Sequence, residues 1–214
     1  MWRLFIILAL GAQPARACET ALMLTIDVSN SVDVAEYQLQ AVGLADALKD
    51  PDIINALVRG ASAVAVMQWS GTDKQELSIG WTRIRTAMDV ARLSDRARLM
   101  PRAFVLSDTA PAAAVTFALA QFGAVADCER RVIDVSGDGT PNAGGDTAAA
   151  RTQAQRQGVT INAIAIESMG LAITNFYRNA VITRDGFVMT ARRHRDYPRA
   201  IRAKILREVT KAIS

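Results

Sequence analysis

Three short clusters of oxygen-bearing side chains stand out along this chain. Asp27-Val28-Ser29-Asn30-Ser31 sets one carboxylate and two hydroxyls at i, i+2 and i+4, a spacing that lets an extended loop aim all three to one side. Ser107-Asp108-Thr109 stands just before Pro111, and Ser136-Gly137-Asp138-Gly139-Thr140 sets a second aspartate between glycines. These are hard donors. Aspartate supplies charge, serine and threonine supply neutral oxygens, and Mg²⁺ takes oxygen ligands in near-octahedral geometry while keeping several waters. The chemistry indicated is the holding of one hard divalent cation, Mg²⁺ first, with Mn²⁺ or Ca²⁺ as alternatives. Plainer roles compete. Asp27 can cap the helix that follows, Ser29 and Ser31 suit a turn, Thr109 suits the N-cap before Pro111, and Asp138 is a natural turn residue. Asp134, inside a strand and facing opposite Ile133 and Val135, reads as structural or supporting.

The clusters can meet only if the elements carrying them end on one side. Ala21 to Val28 (ALMLTIDV) reads as a buried strand, and Val32 to Leu48 as a helix with its stripe at Tyr37, Ala41, Leu44, Ala45 and Leu48. After Pro51 a short helical turn carries Ile53, Ile54 and Leu57. Ala63 to Trp69 is the next strand, with Glu76 to Trp81 as its hairpin partner. Residues 83–100 are mixed, with Ile84, Met88, Ala91 and Leu99 at roughly helical spacing. Pro111 to Phe122 is helical, Arg131 to Ser136 a strand, and Asp146 to Gln157 a helix capped by Asp146 and ended by Gly158. Val159 to Ile166 is a strand, Leu171 to Val181 a helix and Gly186 to Thr190 a short edge strand. Pro198 to Ile213 closes as a helix with Ile201, Ile205, Val209 and Ile213 inward. This alternation predicts an α/β fold: a doubly wound, mostly parallel sheet with helices on both faces. Ligands in such folds bind beyond the carboxyl ends of the strands, where all three clusters lie.

Asp27-Val28-Ser29-Asn30-Ser31 matches the D-x-S-x-S signature of the metal-ion-dependent adhesion site in von Willebrand factor type-A domains. Thr109 before a helix resembles that family's separate threonine, and Asp138-Gly139 its Asp-Gly. The order of elements resembles the family over essentially all of residues 19–214, and the chain looks closest to small secreted bacterial members without assigned function. The resemblance implies that Ser29, Ser31 and Thr109 give hydroxyl oxygens to the metal, that Asp27 and Asp138 bind it directly or through water, and that one position stays open for a partner's acidic side chain. One departure stands out: many members have Gly-Gly before the threonine, where this chain has Ser107-Asp108.

Bulk properties fit one exported domain. Among 214 residues, 50% are hydrophobic and 21% charged, which argues for a real core and against disorder. The net charge of +4 is a small excess of arginine and weak support for a nucleic-acid partner, so none is expected. Arg3, the apolar run Leu4 to Leu10 and the Ala15-Arg16-Ala17 ending read as a signal peptide over residues 1–17, with a type-A-like domain over 18–214. That run is shorter than the roughly 20 residues a span requires, and charges interrupt every later apolar stretch, so no transmembrane segment is expected. A secreted or periplasmic location follows. In that compartment Cys18 and Cys128 form a disulfide, with lipidation of Cys18 as the alternative.

The leading functional reading is a metal-dependent protein-binding domain, not an enzyme, whose ion bridges to an exposed Asp or Glu of another exported protein. The alternative is a Mg²⁺-dependent hydrolase or phosphotransferase with Asp27 as nucleophile. Against it, Lys49, Lys74, Lys204 and Lys211 all read as helix or loop positions, not as strand-end groups that neutralise a phosphoryl group. The only histidine, His194, stands among arginines with no catalytic context, and no histidine is expected near the clusters. Arg192, Arg193, Arg195, Arg199 and Arg202 read as a solvated face, and Trp69 and Trp81 as core or rim.

Overall fold

A computed structural model describes residues 17–210. Most of the expected signal peptide, and Ile213 of the last helix, lie outside the described residues. The elements run β1 (Thr20–Asp27), α1 (Val34–Ala47), α2 (Pro51–Arg59), β2 (Ala63–Trp69), β3 (Gln75–Arg83), α3 (Ala87–Arg98), α4 (Pro111–Gln121), β4 (Arg130–Gly137), α5 (Thr147–Arg156), β5 (Val159–Glu167), α6 (Ala172–Phe176), β6 (Val188–Arg192) and α7 (Tyr197–Thr210). The strands form one sheet in the order β3-β2-β1-β4-β5-β6. Only β2 and β3 pair antiparallel; every other neighbour is parallel. The chain leaves β1 toward β2 and β3, then returns to the other side for β4, β5 and β6. The strand order therefore reverses between β1 and β4, and the crevice at their carboxyl ends is where such a sheet receives a ligand.

The period-two alternation of strand side chains divides the core into two layers. Leu22, Leu24 and Ile26 of β1, with Val64, Val66, Val132, Ile164 and Ile166, pack under α1, α2, α3 and α7. Met23, Ala65, Met67, Ile133, Val135, Ile161 and Ala163 pack under α4, α5 and the segment after α6. With both faces covered, β1 and β2 are buried at every position, which is why they read as unbroken apolar runs.

The first layer also carries charge. Asp134 of β4 faces α7, where the Lys204 ammonium lies 2.5 Å from its carboxylate and 2.7 Å from Glu208. Asn162 of β5 donates to the same Glu208 oxygen at 2.8 Å. Lys204 is thus an inward residue of α7 alongside Ile201, Ile205 and Val209, and Asp134 has the structural setting read from its strand position.

Three local expectations change. The stripe of α3 is Val90, Leu93, Ser94 and Ala97, while Met88 and Leu99 are exposed. The sequence pattern misleads because Ser94 is buried and its hydroxyl donates to the Ala45 carbonyl at 2.7 Å, which phases the helix by a polar residue. The helix expected over Leu171 to Val181 is one turn of α-helix that runs into a π turn at Tyr177–Val181. The cap of α1 is Asp33, in a reciprocal capping box with Glu36, so Asp27 is not a cap. Asp146 does cap α5, through Ala148 and Ala149 N–H groups.

Cys18, just before β1, is joined to Cys128, just before β4, with the Cα atoms 4.4 Å apart. The two strands are neighbours from Thr20 opposite Arg130 onward, so the bond fastens the start of the central pair. Trp69 is wholly buried, and Trp81 lies half-buried against Phe122. Arg199 pairs with Asp196 and Arg202 with Asp50, so part of the arginine cluster is matched along the surface.

Candidate metal centre

Backbone bonds draw the three loops together at the carboxyl edge of β1 and β4. Val28 N–H donates to the Trp69 carbonyl at 2.9 Å, and Arg102 holds the Val28 and Ser29 carbonyls at 2.9 and 3.0 Å. Asn30 N–H donates to the Ser107 carbonyl at 2.9 Å, which ties the first loop to the second. Thr109 N–H donates to Asn142 Oδ1 at 2.8 Å, and Asn142 N–H returns to the Thr109 carbonyl at 3.1 Å, which ties the second to the third.

Side chains converge inside this frame. Ser29 N–H donates to Asp27 Oδ1 at 2.8 Å. The Ser29 and Ser31 hydroxyl oxygens are 3.1 Å apart, and Ser31 donates to Asp138 Oδ1 at 2.6 Å. Thr109 is buried, and a Cβ on Gly139 would lie 3.7 Å from its hydroxyl, so its side chain abuts the Asp138 loop. Its hydroxyl is free of capping duty: α4 has Ala110 at its N-cap and no side-chain cap bond. Gly137 is required by packing, because a Cβ there would lie 2.2 Å from the Tyr177 hydroxyl and 3.1 Å from Asp27 Oδ2. Asp27, Ser29, Ser31, Thr109 and Asp138 are therefore gathered at one place. At the Ser107-Asp108 departure, Asp108 is exposed and accepts from the Ser70 hydroxyl through its carbonyl, not its carboxylate.

The electrostatics of this cluster call for a cation. Burial, then the neighbouring Asp138 charge, push the Asp27 carboxyl up to about 7 despite the bond from Ser29. Burial also raises Asp138, with the Ser31 bond and His194 acting against it. Asp27 Oδ2 is fully buried and has no hydrogen-bond partner, and the Tyr177 hydroxyl is likewise without one. An unmatched carboxylate oxygen inside a protein is costly, and an all-oxygen donor set around it fits a hard divalent ion.

Two residues here escape the sequence reading, and one expectation is corrected. His194 does reach the clusters: its Nε2 lies 3.8 Å from Asp138 Oδ2 and its Nδ1 lies 3.0 Å from Glu36 Oε1. It sits just past β6, whose parallel pairing with β5 ends at the same edge as the loops. The carboxyl end of an edge strand was the available signal. Glu36, a first-turn residue of α1, has no such signal in the sequence.

The sheet order and the two helical layers are those of the von Willebrand factor type-A fold. Similar solved structures include proximal thread matrix protein 1 from the mussel byssus, at TM-score 0.67 and 16% identity over 89% of this chain and 48% of that one. A second structure of it is described as having a zinc-occupied MIDAS motif, at TM-score 0.66 and 15% identity over 90% of this chain and 46% of that one. The vWF domain of the type V pili tip protein Mfa5 from Porphyromonas gingivalis aligns at TM-score 0.66 and 10% identity, over 94% of this chain and 98% of that one. This chain thus spans about half of the mussel protein but nearly all of the Mfa5 domain. No curated protein matches it. By its sequence the chain belongs to the family described as protein of unknown function (DUF1194), whose model matches residues 17–213.

Proposed function

We propose that this protein is an exported, metal-dependent protein-binding domain of the adhesion type. One divalent cation, Mg²⁺ in our reading, is held by the hydroxyls of Ser29, Ser31 and Thr109, with Asp27 and Asp138 as direct or water-mediated partners. The ion supplies a positive centre with an open position, and that position takes an Asp or Glu side chain of another exported protein. The observation that carries this reading is the buried, unpartnered Asp27 Oδ2 beside the partly buried carboxylate of Asp138, among hydroxyls that have no capping task.

The surroundings support a protein as the partner. Leu106, in the loop before Thr109, is 85% exposed, and Met169, in the loop after β5, is 86% exposed. Exposed apolar side chains beside a polar site suit a protein–protein contact. Similar structures support the same reading: one is of a pilus adhesin, another of a domain of a pilus tip protein. Among the described residues no helix is long and apolar enough to cross a membrane.

Calorimetric titration of the purified domain with Mg²⁺ and Mn²⁺ tests the site. We expect one ion per chain, and loss of that binding in Asp27→Ala with the fold retained, since β1 is held by apolar burial. Wild-type stoichiometry in the variant would refute the assignment. A generic phosphatase and esterase panel should show no turnover; turnover abolished by Asp27→Asn would favour an enzyme.

A further inference from the structure

Asp138 presents its two carboxylate oxygens to different neighbours. Oδ1 accepts from Ser31, on the side of the proposed Mg²⁺ site. Oδ2 faces His194 Nε2 at 3.8 Å, too far for a hydrogen bond. His194 is only 7% exposed, and this nitrogen has no partner. The other ring nitrogen is committed. Nδ1 lies 3.0 Å from Glu36 Oε1, while Glu36 Oε2 accepts the Asp33 N–H at 2.9 Å as half of the α1 capping box. The helix cap thus fixes Glu36, whose carboxylate stands against Nδ1, and Nε2 is left turned toward Asp138.

A carboxylate holding one imidazole nitrogen so that the other is presented is the usual support of a metal-binding histidine. Bonds of about 2.0–2.2 Å from one ion to a nitrogen and an oxygen place those atoms well beyond hydrogen-bond range when the angle between them is wide. Ligand atoms of Glu36, Asp138 and His194 all lie within 4.8 Å of one another. They open on a cleft of about 490 Å³, also lined by Glu167, Ser168 and Arg193, which leaves room for water or a further donor.

We infer that His194 and Asp138, with Glu36 as the orienting carboxylate, form a second cation site next to the first. Its mixed nitrogen and oxygen donors select a borderline transition metal of the Zn²⁺ type over Mg²⁺. Asp138 then bridges the two sites, so the edge that meets a partner can carry two ions of different kinds.

The test is titration of the full, untagged mature chain with Zn²⁺ in excess Mg²⁺, followed by calorimetry and by the imidazole ¹⁵N resonances of the single histidine. We expect one further equivalent of Zn²⁺ and a shift of Nε2. His194→Gln should weaken Zn²⁺ by at least about tenfold, and Glu36→Gln by about 10–100-fold, since it removes only the support. Asp27→Asn should lose Mg²⁺ and keep Zn²⁺. Thermal melting of each variant separates lost folding from lost binding. No Zn²⁺ uptake under excess Mg²⁺, or uptake unchanged in folded His194→Gln, overturns the second site. Zn²⁺ uptake abolished by Asp27→Asn also overturns it, because one shared site then accounts for both ions. Failure of Mg²⁺ binding with Zn²⁺ retained would instead remove the Mg²⁺ site alone.

Discussion

Single residues in this domain keep buried charge in two contrasting ways. In the layer between the sheet and α7, Lys204 is fully buried but lies between Asp134 and Glu208, and Asn162 adds a hydrogen bond to Glu208 Oε1. There the chain supplies its own cation. At the carboxyl edge, among the described residues, Asp27 Oδ2 has no hydrogen-bond partner, and an external ion is the natural match. Lys204→Met therefore leaves two carboxylates without a counter-charge in the core. It should cost about 3–5 kcal/mol, the range for breaking a buried pair from one side. Urea denaturation measures this, and an unchanged midpoint would show that Lys204 does not neutralise the pair. The residues proposed for the first cation site stand out in the sequence because each sits in a short local motif. His194 does not. Its neighbours in sequence are arginines, and its proximity to Asp138 arises only when β6 pairs with β5 and the chain turns back across the edge.

Elements fix where those residues stand, and the central pair matters most. The bond between Cys18 and Cys128 closes a separation of 110 residues and fastens β1 to β4 at the end opposite the proposed cation site. Loop-closure entropy for such a span corresponds to about 4–5 kcal/mol. Reduction should lower the unfolding free energy by an amount of that order, measured in denaturant with and without reductant. Two reactive thiols in the unfolded, unreduced protein would contradict the bond. The sequence made these strands easy to find, since burial on both faces gives largely apolar runs, and α4 and α5 announced themselves through Pro111 and Asp146. It failed at α3, where the inward stripe includes Ser94, and after α6, where the helix widens into a π turn that brings the Tyr177 hydroxyl beside Gly137 and Asp27. Neither a buried serine nor a π turn has a hydrophobic period to read.

The molecule as a whole separates stability from recognition. Two apolar layers hold the sheet, and one edge gathers carboxylates, hydroxyls and the lone imidazole beside exposed Leu106 and Met169. The fold was legible from the alternation of elements and from D-x-S-x-S. The identity of the proposed partner was not, because loop shape at the edge is not written in any local motif. We propose that an ion on this edge bridges to a partner. The most direct test immobilises the domain and exposes it to exported proteins with Mg²⁺, with chelator, and with Ser31→Ala in place of the wild type. We predict a complex that forms with Mg²⁺, is lost in the chelator and in Ser31→Ala, and is lost again when an exposed Asp or Glu of the captured protein is neutralised. A complex that survives both chelation and Ser31→Ala would contradict the claim, since the ion would then be no bridge.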